Sequence, residues 1–414
     1  MLSVETTDRR LSAYDDILDS ERRTGIRDRA DRLEGERIAH VNTTADGGGV
    51  AEILHALVPL SRDVGVDVDW YVMDAPDEFY DVTKAIHNGL QGHHTSLTDE
   101  MRDTYRRVTR ENATALEERY DAIVLHDPQS LGMAPTLADR YPDASLLWRC
   151  HIDLTTAADT YLEFVRSWLE PIDRTIVSHP AYAEALPNEE TAIVHPAIDP
   201  FTEKNRSIEE LPADLEGSDP SEYPFDTDRP LLVQVSRFDP WKDPLGVVEA
   251  YRDVRETVPD AQLVLAGGMP DDDPEGIEIY REVAAETETD DDVHLLTDLP
   301  DVGINLLQRS ADVGVQKSLR EGFALTVSET LWKETPVVGA NVGGIPLQVE
   351  DGENGYLVEP EDVDATADQI VRLLEDDELR ERLGEGGRET VRERFLLPRL
   401  LEEYLSLLAS EIGR

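Results

Sequence analysis

The segment Val313-Gly314-Val315-Gln316-Lys317-Ser318-Leu319-Arg320-Glu321-Gly322-Phe323-Ala324-Leu325-Thr326-Val327-Ser328-Glu329 reads as a buried strand, a polar loop and the first turns of a helix. Val313–Gln316 has the apolar, β-branched character of a short buried strand, and the helix runs on through Leu331. The spacing puts Glu321 and Gly322 in the strand-to-helix loop and Glu329 about two turns further along the helix. A helix start in that place aims backbone N–H groups at an anion, which suits a phosphate. Glu321 then reaches what lies beyond the phosphate, and Glu329 accepts hydrogen bonds from hydroxyls beside the helix. The bland alternative is a carboxylate favoured by the helix dipole plus an ordinary solvated glutamate.

Working outward, apolar β-rich runs alternate with helical patterns along most of the chain, which predicts an α/β fold with parallel sheets and crossover helices. The predicted strands of the first half are Ile38–Val41, Val68–Val72, Ala122–Leu125, Ser145–Trp148, Thr175–Ser178 and Ala192–Val194. Those of the second half are Leu231–Ser236, Gln262–Ala266, Val293–Leu295, Val313–Gln316, Pro336–Gly339 and Gly355–Leu357. Two doubly wound, Rossmann-like domains follow: residues 1–198 with a helical preface over 1–37, a linker over 199–230, and residues 231–395. The end, 396–414, is an amphipathic helix able to dock back on the first domain. Two such domains facing a central cleft would hold ligands at the carboxyl ends of their strands.

Composition narrows the partners. The 414 residues carry a formal net charge of −50. Sequence-independent binding to nucleic acid or to an anionic membrane needs neutralising Lys and Arg, so neither partner is expected. No stretch is long and apolar enough for a membrane span, the first residues lack a signal-peptide layout, and the lone Cys150 fits a reducing compartment, so a cytoplasmic protein is expected. Five lysines (Lys84, Lys204, Lys242, Lys317, Lys333) stand against 34 arginines. Carboxylates everywhere with lysine almost absent is the surface of a protein kept soluble in concentrated salt, where self-repulsion is screened. The oligomeric state stays open, a homodimer included.

Further loops point to the same chemistry. Strand Leu231–Ser236 ends in Arg237-Phe238-Asp239-Pro240-Trp241-Lys242-Asp243-Pro244, and Arg237 and Lys242 on one strand-end loop can serve one pyrophosphate. Lys317 is a weaker candidate for the same role. The first strand runs into Asn42-Thr43-Thr44-Ala45-Asp46-Gly47-Gly48-Gly49, whose glycines permit close backbone approach to a ligand without nicotinamide or P-loop spacing. Polar clusters His126-Asp127-Pro128-Gln129 and Arg149-Cys150-His151-Ile152-Asp153 end two later strands, and Gly343-Gly344 follows another. His151 and Asp153 lack further ligands at metal spacing, and no G-x-S-x-G elbow exists, so a polyhydroxylated ligand suits these residues better.

With these residues in place, the chain resembles the retaining glycosyltransferases of family 4, which have the two-domain GT-B fold. The resemblance rests on the Glu321…Glu329 pair with seven residues between, on Arg237 and Lys242, on the first glycine loop and on Gly343-Gly344. Within that family His40–Leu60, Thr83–Gly92, Trp148–Leu154 and Gln316–Lys333 are similar to the trehalose glycosyltransferring synthases; trehalose phosphorylases share much of the motif set. The resemblance implies a hexosyltransferase that joins glucose from a nucleotide-activated donor to free glucose, giving α,α-trehalose with retention. It implies that Arg237 and Lys242 hold the donor diphosphate, that Glu329 binds the ribose, that Glu321 bonds hydroxyls of the transferred glucose and that His151 holds that sugar. Arg237, Lys242, Glu321 and His151 would be the catalytic set. The donor would also meet Gly48, Gly49, Gly322, Phe323, Gly343 and Gly344. Position and polarity alone make Glu52, Asn88, Gln91, Asp127, Gln129 and Asp153 candidate acceptor ligands. No cofactor or metal is obligatory in this reading, although Mg²⁺ could assist nucleotide binding.

The acidic surface carries its own test. Thermal stability should rise from dilute buffer to molar KCl as the unscreened repulsion is removed; a melting temperature that stays flat across that range would remove the salt-adaptation reading.

Overall fold

The computed structural model describes residues 1–46, 48–93, 96–186, 191–212, 215, 217–268 and 274–412. It divides into two compact units, one comprising Met1–Ala197 with Leu397–Arg414 and the other Ile198–Leu396.

The first unit is built on a sheet of β1 (Leu2–Ser3), β2 (Arg37–Asn42), β3 (Asp67–Val72), β4 (Ala122–His126), β5 (Ser145–Cys150), β6 (Arg174–Val177) and β7 (Thr191–Ile193), in the order β1-β3-β2-β4-β5-β6-β7. All pairs are parallel except β1, which lies antiparallel on β3. Every residue of β4 is buried, as expected of a central strand whose two faces are both covered by helices. The sheet is packed with large apolar side chains, among them Trp70, Phe79, Tyr105, Trp148 and Tyr161, all at most 1% exposed.

The second unit repeats the plan with β8 (Leu231–Val235), β9 (Gln262–Gly267), β10 (Val293–Thr297), β11 (Val313–Gln316), β12 (Val337–Ala340) and β13 (Gly355–Val358), all parallel, in the order β10-β9-β8-β11-β12-β13. Each predicted strand is present, with ends displaced by one or two residues. β1 was not among them: two residues carry no readable periodicity, and the segment read as a helical preface begins as an edge strand.

The predicted linker is corrected. Residues 199–230 belong to the second unit, with Asn205 fully buried and Phe225 packed among Leu231, Val233 and Val264. Gln262 on β9 accepts from the Asp226 N–H and donates to the Asp226 carbonyl, both at 2.8 Å. Among its described residues this segment has two short 3₁₀ turns, Ile208–Glu210 and Pro220–Glu222. The C-terminal helix Leu397–Glu411 is part of the first unit. Its Glu402 pairs with Arg22 and Arg29 of the helix Ser20–Ala30, and its Glu411 pairs with Arg174 at 2.7 Å.

Among the parallel strands of each sheet the first in sequence, β2 or β8, lies inside the sheet, and the order then reverses direction. Connections leave β2 and β4 to opposite sides, and likewise β8 and β11. Such a reversal opens a crevice beyond the carboxyl ends of the two strands, and that is where an open α/β sheet takes its ligands. The segments after β2, β4, β8 and β11 carry many of the candidate residues, while His151 and Asp153 follow β5, Gly343 and Gly344 follow β12, and Asn88 and Gln91 end the helix after β3.

Candidate active site

In the second unit two loops are fastened together at the reversal point. After β8, Asp239 caps a 3₁₀ turn, Pro240–Lys242, by accepting from Trp241 N–H at 2.9 Å. Asp243 then takes a left-handed conformation (φ 48°) and caps the helix Pro244–Thr257 through Gly246 N–H. The carbonyl of Lys242 accepts from Gln234 Nε2 at 2.7 Å, which fixes the backbone under the lysine. From the loop after β11, Leu319 N–H donates to Trp241 O at 2.8 Å and the Arg320 guanidinium lies 4.3 Å over the Trp241 ring.

Two ion pairs complete the fastening, Lys242 Nζ with Glu321 Oε2 and Lys317 Nζ with Asp243 Oδ2. The first brings two residues of the predicted catalytic set into contact. The second corrects the reading of Lys317 as a phosphate ligand, because its side chain is 1% exposed and spent on Asp243. Arg237 is more than half exposed and pairs with Asp239 at 3.0 Å. Glu321 also accepts from Gly322 N–H at 3.1 Å.

Glu329 sits on the helix Leu325–Trp332 and is completely buried, which overturns the picture of a solvated glutamate. Lys204 Nζ stands 3.0 Å from its Oε1, yet neither carboxylate oxygen has a well-aligned hydrogen bond. Lys204 was missed because it lies in the segment read as linker; being one of only five lysines was its single readable signal. Gly343 and Gly344 also belong here. A Cβ on Gly343 (φ 53°) would fall 1.7 Å from the Glu321 carbonyl, and one on Gly344 would fall 2.6 Å from Phe323 Cα. Their first task is therefore close packing under the Glu321 loop. The Phe323 ring is buried with its centroid 5.7 Å from that of Phe395, so of the predicted donor contacts at Phe323 only the backbone remains.

In the first unit, Gly48 (φ 83°) caps the helix Gly49–Asp63 in a conformation that favours glycine, and Glu52 lies in that helix's first turn. Gly47 lies outside the described residues. Asn88 and Gln91 sit half-buried at the end of the helix Asp77–Leu90. Gln129 presents a buried side-chain oxygen with no hydrogen-bond donor. Asp127 Oδ1 accepts from His151 N–H at 2.7 Å and so ties the end of β4 to the segment after β5, while Asp153 Oδ1 accepts from the N–H and hydroxyl of Thr155 at 2.8 and 2.6 Å; each bond uses one oxygen of its carboxylate. His151 Nε2 contacts His126 Nδ1 at 3.2 Å, and His126 Nε2 contacts His40 Nδ1 at 2.9 Å. Sequence reading gave His40 no role, although it opens the stretch His40–Leu60 that carries part of the resemblance, because it lies inside an apolar strand. Among the described residues no group of three His, Cys, Asp or Glu side chains could hold a metal ion.

Burial dominates the ionisation of this cluster. It pushes His40 down to about 4 and holds His126 and His151 well below the usual imidazole value, with Arg149 opposing a positive charge on both. Burial pushes the Asp127 carboxyl up to about 7, against the His151 N–H and Arg149, which lower it. The signs oppose. Below about 6.5 the unfolded chain protonates these histidines while the fold resists, so stability falls with pH toward about 4. Asp127 is protonated in the fold below about 7 but in the unfolded chain only near 3.9, so stability rises over that window. One carboxyl offsets one of three imidazoles. Urea denaturation should therefore lose stability from pH 6.5 toward 4 with a contribution of about two protons from this cluster, and His40→Asn should lessen the slope by about one. An unchanged slope in that variant would contradict a histidine held neutral.

Comparisons with known proteins agree with this arrangement. Residues 40–184 match the family of the trehalose synthase N-terminal domain, and residues 217–390 match the glycosyl transferases group 1. The trehalose synthase of Thermococcus litoralis is 41% identical over 410 residues, which cover 97% of each chain. A trehalose phosphorylase of Pleurotus pulmonarius is 30% identical over 410 residues, 87% of this chain but 55% of that one. Among solved structures, a UDP-forming α,α-trehalose-phosphate synthase from Burkholderia xenovorans superposes with a TM-score of 0.72 over 92% of this chain and 99% of that one, at 15% identity, which identifies the GT-B fold. With both halves matched and a curated relative spanned almost end to end, the chain belongs to the trehalose synthase family, on a group 1 glycosyl transferase framework.

Proposed function

We propose that this protein is a cytoplasmic retaining glucosyltransferase that joins glucose from a nucleotide-diphosphate-glucose to free glucose, forming α,α-trehalose. What carries the reading is the Glu329 carboxylate, fully buried beside Lys204, with neither oxygen in a well-aligned hydrogen bond. Among the described residues Oε2 meets no donor and Oε1 faces the Lys204 ammonium at 3.0 Å, which suits a pair of ribose hydroxyls, because a buried acceptor short of donors is costly. That favours a nucleotide donor over the inorganic phosphate of a phosphorylase, which brings no ribose.

In this reading Lys242 and Arg237 neutralise the diphosphate and the charge that grows on it as the glycosidic bond breaks. Glu321, paired with Lys242 in the structure, exchanges that partner for glucose hydroxyls. Gly48, Gly49 and the backbone of the Gly343-Gly344 loop approach the donor, and His151 holds the transferred glucose. Glu52, Asn88, Gln91, Asp127, Gln129 and Asp153 serve as acceptor ligands. A retaining glycosidase would need a second carboxylate about 5–5.5 Å away as nucleophile. Here attack on the same face as departure, with the leaving phosphate taking the acceptor's proton, asks the protein only to position groups and stabilise charge. Mg²⁺ is a possible helper in nucleotide binding and has no catalytic role in this scheme.

Incubation in about 2–3 M KCl with ADP-, UDP-, GDP- or TDP-glucose and free glucose should give trehalose in step with released nucleotide from at least one donor. Release of glucose phosphate from trehalose and phosphate, with no transfer from any nucleotide-glucose, would replace this reading with the phosphorylase. Lys242→Ala should lower kcat/KM by on the order of 10²–10³ while the circular dichroism spectrum stays unchanged. Wild-type kcat/KM in that variant would remove Lys242 from the diphosphate.

A further inference from the structure

Three histidine rings stand in a row at the reversal point of the first unit. His40 on β2 meets His126 at 2.9 Å, and His126 at the end of β4 meets His151 at 3.2 Å. The ring centroids are 5.2 and 5.5 Å apart. His40 and His126 are 2% and 3% exposed, so no water shell competes for their nitrogens. The Tyr404 ring lies 5.9 Å from that of His40, and Asp127 holds the backbone of His151. Each contact joins one ring to the next, and among the described residues no group of three such side chains is arranged to hold a metal ion.

A neutral imidazole carries one N–H and one bare nitrogen. Both nitrogens of His126 are committed, so it donates in one contact and accepts in the other. That single fact fixes its neighbours. In one setting His40 donates from Nδ1 to His126 and His126 donates from Nδ1 to His151, so all three rings are protonated on Nδ1. In the other, His151 donates from Nε2 to His126 and His126 donates from Nε2 to His40, so all three are protonated on Nε2. A mixed arrangement would set two N–H groups, or two lone pairs, face to face in a buried site, and each such contact costs a hydrogen bond plus repulsion. With Nε2 of His151 taken, its Nδ1 is the nitrogen that remains. It is a donor in the first setting and an acceptor in the second.

We infer that His40 and His126 are positioning residues that lock the tautomer of His151, and so decide whether His151 gives or takes a hydrogen bond at the transferred sugar. The functional half of this inference rests on the reading of His151 as a ligand of the transferred glucose; the tautomer lock itself does not. His40 acts at a distance, through another ring, on a group that touches substrate.

The test uses the full chain labelled with ¹⁵N-histidine in molar KCl at neutral pH, since nitrogen chemical shifts separate protonated from bare ring nitrogens. The expected result is three neutral rings protonated on the same type of nitrogen; mixed tautomers, or an imidazolium among the three, would overturn the inference. Two variants then read its effect. His40→Phe keeps a ring but removes the nitrogen, and should lower kcat by about tenfold with little change in KM for the nucleotide-glucose. His40→Asn returns a hydrogen-bonding atom to the Nδ1 position, and should recover kcat to within about threefold. Wild-type kcat in His40→Phe, or no recovery in His40→Asn, would also overturn it. Should His40→Phe not fold, the wild-type spectrum still decides. Should the wild type transfer no glucose from any donor, the proposed function fails while the nitrogen shifts judge the lock separately.

Discussion

A parallel sheet that begins in its middle leaves two adjacent strands whose connections depart in opposite directions, and this constraint governs both units. Between β2 and β4, and again between β8 and β11, no crossover helix can cover the carboxyl ends of the strands. Each crevice is left to loops, and loops satisfy their backbone polar groups only by binding one another, solvent or a ligand. In the second unit the loops after β8 and β11 bind each other through Trp241, Asp243 and Lys242. In the first, the strand ends meet through the row of histidines and the Asp127 cap on His151.

The distribution of lysine follows from the same constraint. Arginine has displaced lysine almost everywhere, yet four of the five lysines lie in the second unit with specific partners. Lys204 faces Glu329, Lys242 faces Glu321 and Lys317 faces Asp243. Lys333 donates to Asn205, Gln308 and the Glu329 carbonyl at 2.8 to 3.1 Å. A compact ammonium fits where a planar guanidinium would not, and burying it is tolerable only when an anion or several acceptors surround it. Lysine has stayed where geometry demands a point charge. The carboxylates it faces are the two glutamates of the signature and the residue next to Lys242.

Much of this was legible in the sequence, for physical reasons. Central parallel strands such as Ala122–His126 are unbroken apolar runs, and the loops after them carry polar residues that have no packing purpose. Hence Glu321, Lys242 and His151 stood out. Features that depend on distant partners were hidden. Lys317 looks like a ligand on a loop, and only the fold reveals that Asp243 consumes it. Residues 199–230 look like a linker because their buried groups, Asn205 and Phe225, obey no period. His40 resembles a core residue until its neighbour across the sheet is known to be another histidine.

The return of the last helix to the first unit has a consequence for how the molecule is made. The second unit is an insertion: its two ends are already paired, Ile198 N–H donating to the Phe395 carbonyl at 2.9 Å with a bridge between Ile198 and Leu396. All seven strands of the first unit have been synthesised by Ile193, yet the helix in which Leu400, Leu401, Tyr404 and Leu405 are buried, and which pairs with the helix Ser20–Ala30, comes only after Leu396. On the ribosome, the half begun first is therefore the half finished last. The seat of that last helix stays open while the inserted half folds, so the first unit closes only after the second has been made.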